Sequence, residues 1–288
     1  MNTIRYLSDP TLAPLLWPAI VTGLAIAALC SLLSVLVAIK RLAFIGQGIS
    51  HAAFGGVGVA AYGASLGAAF LASPLAQFGV VFLFCLGAAV VIGMLTSRGK
   101  TEADTAIGIV LVLAMGVGAI LLRLARSGVA VESFLFGDIF MVDWTDAITA
   151  WVVALLVLGV LWWVRRPLMF WAFDEPAAGA WGVHRRGMQL LLLCLLALAT
   201  VTAMKLAGVI LTTAMLVLPG ASALRAGRRL GGVLVLACVV ALAGVLGGLV
   251  LSFELDWASG PSIVVVLSAA FALARLIELV RARRRNFA

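Results

Sequence analysis

Gln47 and His51 stand one helical turn apart in Phe44–Ala61 (FIGQGISHAAFGGVGVAA), a stretch that otherwise reads as membrane-spanning. Residues at i and i+4 share a helix face, so a side-chain carbonyl oxygen and an imidazole nitrogen project together. Oxygen plus imidazole is a usable half-site for a divalent transition metal. Ionisable side chains are costly in hydrocarbon, so they mark an ion pathway, a relay or a buried pair. If the helix runs on from Arg41, His51 lies roughly 15 Å in, near the bilayer midplane. A histidine hydrogen-bonded to a neighbouring helix explains the same residue equally well. Gln47 is neutral and holds a cation less firmly than a carboxylate would. A symmetric partner would have to supply the other half of a metal shell.

Two further segments carry polar chemistry. In the loop 165–187, Phe173-Asp174-Glu175-Pro176 has the form of a helix start, with Asp174 as cap and Pro176 in the first turn. Pro176–Trp181 then forms a short helix that ends near Gly182, its acidic N-terminus suiting the macrodipole. Such a helix, flanked by arginines, can dock on a cytoplasmic partner or serve as a plain connector. The segment Glu132–Asp146 (ESFLFGDIFMVDWTD) mixes aromatics with acids and is too short to span. It reads either as an interfacial helix at a pore mouth or as a capped connecting turn.

The elements that position these residues follow from composition. The chain has 288 residues, 64% hydrophobic and only 11% charged, against about 25% charged in soluble domains. With a mean hydropathy of +1.21, it cannot hide its apolar side chains in one core surrounded by water. Lipid admits only helices and closed barrels. The apolar runs are long and unbroken, so the reading is all-α: one transmembrane domain over 1–288, with about nine helices. Candidate spans are 15–39, 46–71, 78–95, 107–124, 147–164, 188–204, 207–224, 231–252 and 261–281. An eight-span arrangement would make one weak run re-entrant. At 204–207 two spans meet with almost no loop.

The net charge of +8 suggests nucleic acid only until it is mapped. Lys40/Arg41, Arg98/Lys100, Arg165/Arg166, Arg185/Arg186, Arg225/Arg228/Arg229 and the Arg281–Arg285 tail fall in short loops on one side of nine spans. That side is the cytoplasm, and the partner is membrane lipid rather than nucleic acid. Asp138, Asp143, Asp146, Glu254 and Asp256 fall on the other side. Cys30, Cys85, Cys194 and Cys238 are scattered singly in apolar runs and read as packing residues. Gly55, Gly56, Gly58 and the pairs Gly63/Gly67 and Gly244/Gly248 read as close helix contacts. The sequence has no Walker A pattern, no HExxH and no nucleophile elbow. The chain is therefore read as no enzyme, and energy from ATP must come from another chain.

On these segments the sequence resembles the membrane permeases of ABC importers for zinc, manganese or iron(II). RLAFIGQGISHAAFGG (41–56) is similar to the family's arginine-rich turn followed by G-D-x-x-S-H-A. TEADTAIGIVLVLAMGVGAILL (101–122) is similar to its acidic loop and following helix, and FLFGDI (134–139) to its L-F-G-N/D element. FDEPAAGAWGVHRRGMQLLL (173–192) resembles its F-D-x-x-x-A-x-x-x-G coupling loop. GVILTTAMLVLPGASA (208–223) and LSFELDWASGPSIVVVL (251–267) resemble its two late segments. All six occur in the family's order.

The resemblance implies a fold like the vitamin B12-type importer permeases, in the bacterial cytoplasmic (inner) membrane. It implies a pathway formed by a second permease copy or a paralogue, an ABC ATPase subunit, and an extracytoplasmic metal-binding protein. Mn, Zn or Fe is then the transported ion, with no cofactor bound by this chain. Gln47 and His51 become pathway ligands. Phe173, Asp174, Glu175, Pro176, Ala177, Gly179 and Gly182 become the ATPase-coupling loop. One departure stands out: the family has Asp where this chain has Gln47, which keeps an oxygen donor and loses the charge. The rival reading, an ion-coupled secondary metal transporter, needs its own coupling-ion site, and no acidic residue lies deep in a candidate span.

Overall fold

The computed structural model describes residues 13–68, 71, 73–97, 102–126, 142–227 and 229–286. Among them there is no strand. The helices are α1 (Ala13–Ile39), α2 (Ile45–Ser65), α3 (Pro74–Ser97), α4 (Ala103–Leu124), α5 (Trp144–Phe173), α6 (Glu175–Ala180), α7 (Arg185–Ala226), α8 (Leu230–Leu255) and α9 (Ser259–Asn286).

Among the described residues, eight segments are long and apolar enough to cross a membrane: α1, α3, α4, α5, both halves of α7, α8 and α9. Helix α2 is the ninth of membrane length, since its 21 residues rise about 31 Å. Its glycines, Gln47, Ser50 and His51 keep it out of the apolar set. Protein covers it instead: α3, α4 and α7 all pack against it, and most of its residues are buried.

Helix α7 has 42 residues, about twice the length that hydrocarbon accommodates. The chain breaks at Gly208, whose φ of 79° and ψ of 169° suit glycine far better than any residue with a Cβ. The two halves run in opposite directions. Gly93, near the end of α3, faces Leu193, while Gly220 lies against the backbone of Ser34 near the end of α1. Residues 193 and 220 thus sit toward the same, cytoplasmic side, and the chain doubles back in between. The two halves form the hub of the bundle, touching α1, α2, α3, α5, α8 and α9. Helix α1 is the other core element: 72% of its span is buried, against 17% in α9.

Helix α5 runs past the expected end at residue 164. It continues through Pro167 to Phe173, so Arg165 and Arg166 lie on a helix rather than in a loop. The reason is length: 30 residues rise about 45 Å, well beyond the ~30 Å hydrocarbon core, so the last turns stand in the cytoplasm. At the other end Asp143 caps α5, its Oδ1 accepting the Asp146 N–H at 2.8 Å. Most of the segment Glu132–Asp146, the FLFGDI element, and Arg98/Lys100 lie outside the described residues.

Some of the glycine pairs hold helices together as the small-residue spacing predicts; Gly63/Gly67 does not, since Gly67 lies past the end of α2 at φ 91° with open space around it and Gly63 faces Leu71. Gly244 and Gly248 on α8 face Leu267 and Ile263 on α9. The four cysteines are free thiols. Cys30 and Cys85 are buried, and Cys238 lies 3.2 Å from the Ser31 hydroxyl.

Candidate functional site

The α1–α2 turn decides where Gln47 and His51 stand. Helix α1 ends with Leu42 N–H bonded to the Val37 carbonyl at 2.9 Å and Arg41 N–H to that of Ala38 at 3.3 Å. This is the Schellman arrangement, and Arg41 occupies its left-handed position with φ 55°. Ile45 N–H then bonds back to the Leu42 carbonyl at 3.0 Å and Gly48 N–H to that of Phe44 at 2.9 Å. The reversal is therefore tight and internally bonded, and α2 starts at a fixed angle.

Gln47 and His51 line one cavity of about 470 Å³. Ala43 and Phe44 lie on the same wall, and Val209, Ile210, Thr213, Ala214, Val217 and Leu218 of the second half of α7 form the facing one. Gly46 lets α2 approach that wall, since a Cβ there would lie 3.1 Å from Leu216 Cδ1. The wall is apolar except for Thr213, whose hydroxyl donates to the Val209 carbonyl at 2.9 Å. His51 is half-buried. Its Nδ1 is shielded from solvent and has no hydrogen-bond partner. A buried nitrogen without a partner is costly unless a ligand completes it. Phe44 at 54% and Ile210 at 39% exposure leave the cavity open to the protein surface.

The chain brings Gln47 and His51 together and adds no third ligand. Among the described residues no group of three His, Cys, Asp or Glu can hold a metal ion. One chain therefore places an amide, an imidazole and a threonine hydroxyl on one cavity. Thr213 is not singled out by sequence reasoning, because the run GVILTTAMLVL gives no sign of which threonine faces inward.

The second candidate element folds as its residues dictate. Asp174 caps α6, its Oδ1 accepting the Ala177 N–H at 2.9 Å, and Glu175 and Pro176 occupy the first turn. The helix ends at Ala180 in a second Schellman arrangement. Val183 N–H bonds to the Ala178 carbonyl at 3.0 Å and Gly182 N–H to that of Gly179 at 3.3 Å, with Gly182 at φ 82°. Ala178 is buried against the bundle, whereas Phe173 and Trp181 are 60% and 83% exposed. Gly179 lies under the Arg185 guanidinium, which donates to the Pro176 carbonyl at 3.2 Å. At the start of α6, Glu175 accepts from Lys40 Nζ at 2.9 Å.

These elements are about 130 residues apart in sequence, and one family match spans both. The pattern of the ABC 3 transport family matches residues 13–278. The chain is similar to the manganese transport system membrane protein MntC of Halalkalibacterium halodurans, 33% identical over 276 residues that cover 95% of this chain and 91% of that protein. It is also similar to the high-affinity zinc uptake system membrane protein ZnuB of Haemophilus influenzae, 28% identical and covering 90% of this chain and 96% of that protein. Among solved structures, PsaBC from Streptococcus pneumoniae in complex with a Fab superposes with a TM-score of 0.79 at 28% identity, covering 94% of this chain and 93% of that one.

Proposed function

This chain belongs to the ABC 3 transport family, and from that premise we propose that two copies of it, or it and a paralogue, form the translocation pathway of an ATP-driven importer for Mn²⁺, Zn²⁺ or Fe²⁺. It is a multi-pass protein of the bacterial cytoplasmic membrane and a transporter subunit rather than an enzyme. In this reading a separate ABC ATPase docks on α6, and an extracytoplasmic metal-binding protein delivers the ion. Closure of the ATPases pushes α6 and rocks the bundle between outward- and inward-open states.

The observation that carries the reading is the buried, unpartnered His51 Nδ1 beside Gln47 on a cavity open to the surface. A pathway between two copies requires polar groups on an open surface of each. Imidazole, amide and hydroxyl donors suit Mn²⁺, Fe²⁺ and Zn²⁺ alike. With no carboxylate at the ring, the ion is held loosely, which favours passage over trapping. Among the described residues, acidic side chains lie at or near helix ends, which leaves a secondary transporter without its coupling-ion site.

The test is metal uptake into proteoliposomes holding this permease with its ATPase and binding protein, with Mn²⁺, Zn²⁺ and Fe²⁺ offered in turn. ATP-dependent uptake of one metal supports the importer and names its substrate. Equal uptake with and without ATP overturns it.

A further inference from the structure

Lys40 is held from three directions at the cytoplasmic end of α1. Its ammonium lies 2.9 Å from the Glu175 carboxylate, 3.4 Å from the Trp171 carbonyl oxygen and 3.7 Å from the centroid of the Trp171 ring. The Lys40 side chain is 15% exposed and that of Glu175 45%, so the ammonium is largely covered while its carboxylate partner stands half open to water. The contacts fix where the ammonium stands: the Glu175 carboxylate and the Trp171 carbonyl oxygen both lie within reach of its N–H groups. The Trp171 ring face adds a cation–π contact on a residue that is itself buried.

The placement of these partners gives the contact a direction. Glu175 is the first residue of α6, and Trp171 belongs to the last turn of α5. Lys40 belongs to the reversal that launches α2. Four residues after it Phe44 borders the cavity, and Gln47 and His51 follow on the same wall. The reversal is stiffened by its own hydrogen bonds and by the left-handed Arg41. A displacement of α6 thus reaches the cavity wall through one ion pair and one rigid turn. The other tie of α6, from Arg185 to the Pro176 carbonyl, leads to the start of α7, far along the chain from the facing wall.

We propose that Lys40 is the positioning residue that couples α6 to the pathway helix, converting movement of the coupling loop into movement of Phe44, Gln47 and His51. The proposal rests on the functional reading above. Coupling of this kind travels through packed side chains and ion pairs in contiguous contact.

The experiment uses the complete transporter in proteoliposomes, with ATP hydrolysis and uptake of Mn²⁺, Zn²⁺ and Fe²⁺ measured on the same vesicles. Lys40→Met keeps an apolar stem over Trp171 and loses the charge. It is expected to lower uptake per ATP hydrolysed by about tenfold, within the range of ordinary coupling energies. Hydrolysis itself should stay within about twofold of the unsubstituted complex. Lys40→Arg can pair with Glu175 and stack on Trp171, and should restore most of the ratio. Glu175→Gln should lower the ratio several-fold on its own, and it decides the matter if Lys40→Met fails to assemble. An unchanged ratio in Lys40→Met or, failing its assembly, in Glu175→Gln overturns the proposal. So does a parallel fall in uptake and hydrolysis that Lys40→Arg does not repair. If the unsubstituted complex imports none of the three metals with ATP, the functional reading itself falls, and the proposal with it.

Discussion

Gly58 of α2 and Gly118 of α4 meet backbone to backbone. A Cβ on Gly58 would lie 2.8 Å from the Gly118 carbonyl oxygen, and a Cβ on Gly118 would lie 2.8 Å from that of Phe54. Neither neighbour is a flexible side-chain tip that can swing away. Gly58→Val should therefore push α2 from α4 at an overpacking cost of about 1–3 kcal/mol. The expected readout is a thermal midpoint in detergent lower by several degrees. Gly116, on the same helix as Gly118, has open space around it, so Gly116→Ala should leave the midpoint unchanged or raise it. Equal behaviour of the two variants would show that the contact does not hold the helices.

His51→Ala removes the imidazole and leaves the α2 backbone intact. Uptake of the transported metal should fall by about tenfold or more, the scale on which metal sites respond to loss of even a supporting group. Co-purification with the ATPase should be unchanged. Normal uptake of every metal offered would remove His51 from the pathway.

Gln47→Asp supplies the missing charge one turn before His51. A carboxylate attracts a divalent cation far more strongly than an amide in a poorly solvated cavity. The metal concentration for half-maximal uptake should fall, and maximal uptake should slow as the ion is released less readily. Superimposable uptake curves would mean that residue 47 does not face the ion.

Asp174→Ala deletes the cap of α6, a loss of about 1 kcal/mol in an N-cap position. For a helix of 6 residues that is enough to loosen the element. Recovery of the ATPase with the permease should drop, while Asp174→Asn, which can still accept the Ala177 N–H, should keep it. Full recovery with alanine would argue that the cap has no part in docking.

Much of this architecture was legible from residues alone, for identifiable reasons. Unbroken apolar runs have one solution in lipid, so the helices appeared where expected. The cap at Asp174, Pro176 in the first turn and the left-handed Gly182 each act locally, which is why α6 was readable. The extension of α5 to Phe173 was not, because Arg165-Arg166 marks the membrane surface and says nothing of where a helix stops. Thr213 was invisible because a cavity wall is a tertiary fact. The role of Lys40 was hidden for the same reason: Trp171 and Glu175 lie 131 and 135 residues away in sequence.

The composition of α2 bears on how the protein is made. Among the described residues, eight segments have the length and apolar composition of a membrane span, whereas the helix that carries Gln47 and His51 is poorly matched to lipid. During synthesis it needs a proteinaceous surround, and α4 and the second half of α7 are translated after it. Its residence in the membrane is thus settled late, once those downstream segments arrive to cover it. Substitutions that make it more apolar would ease biogenesis while erasing the polar face that gives the helix its use.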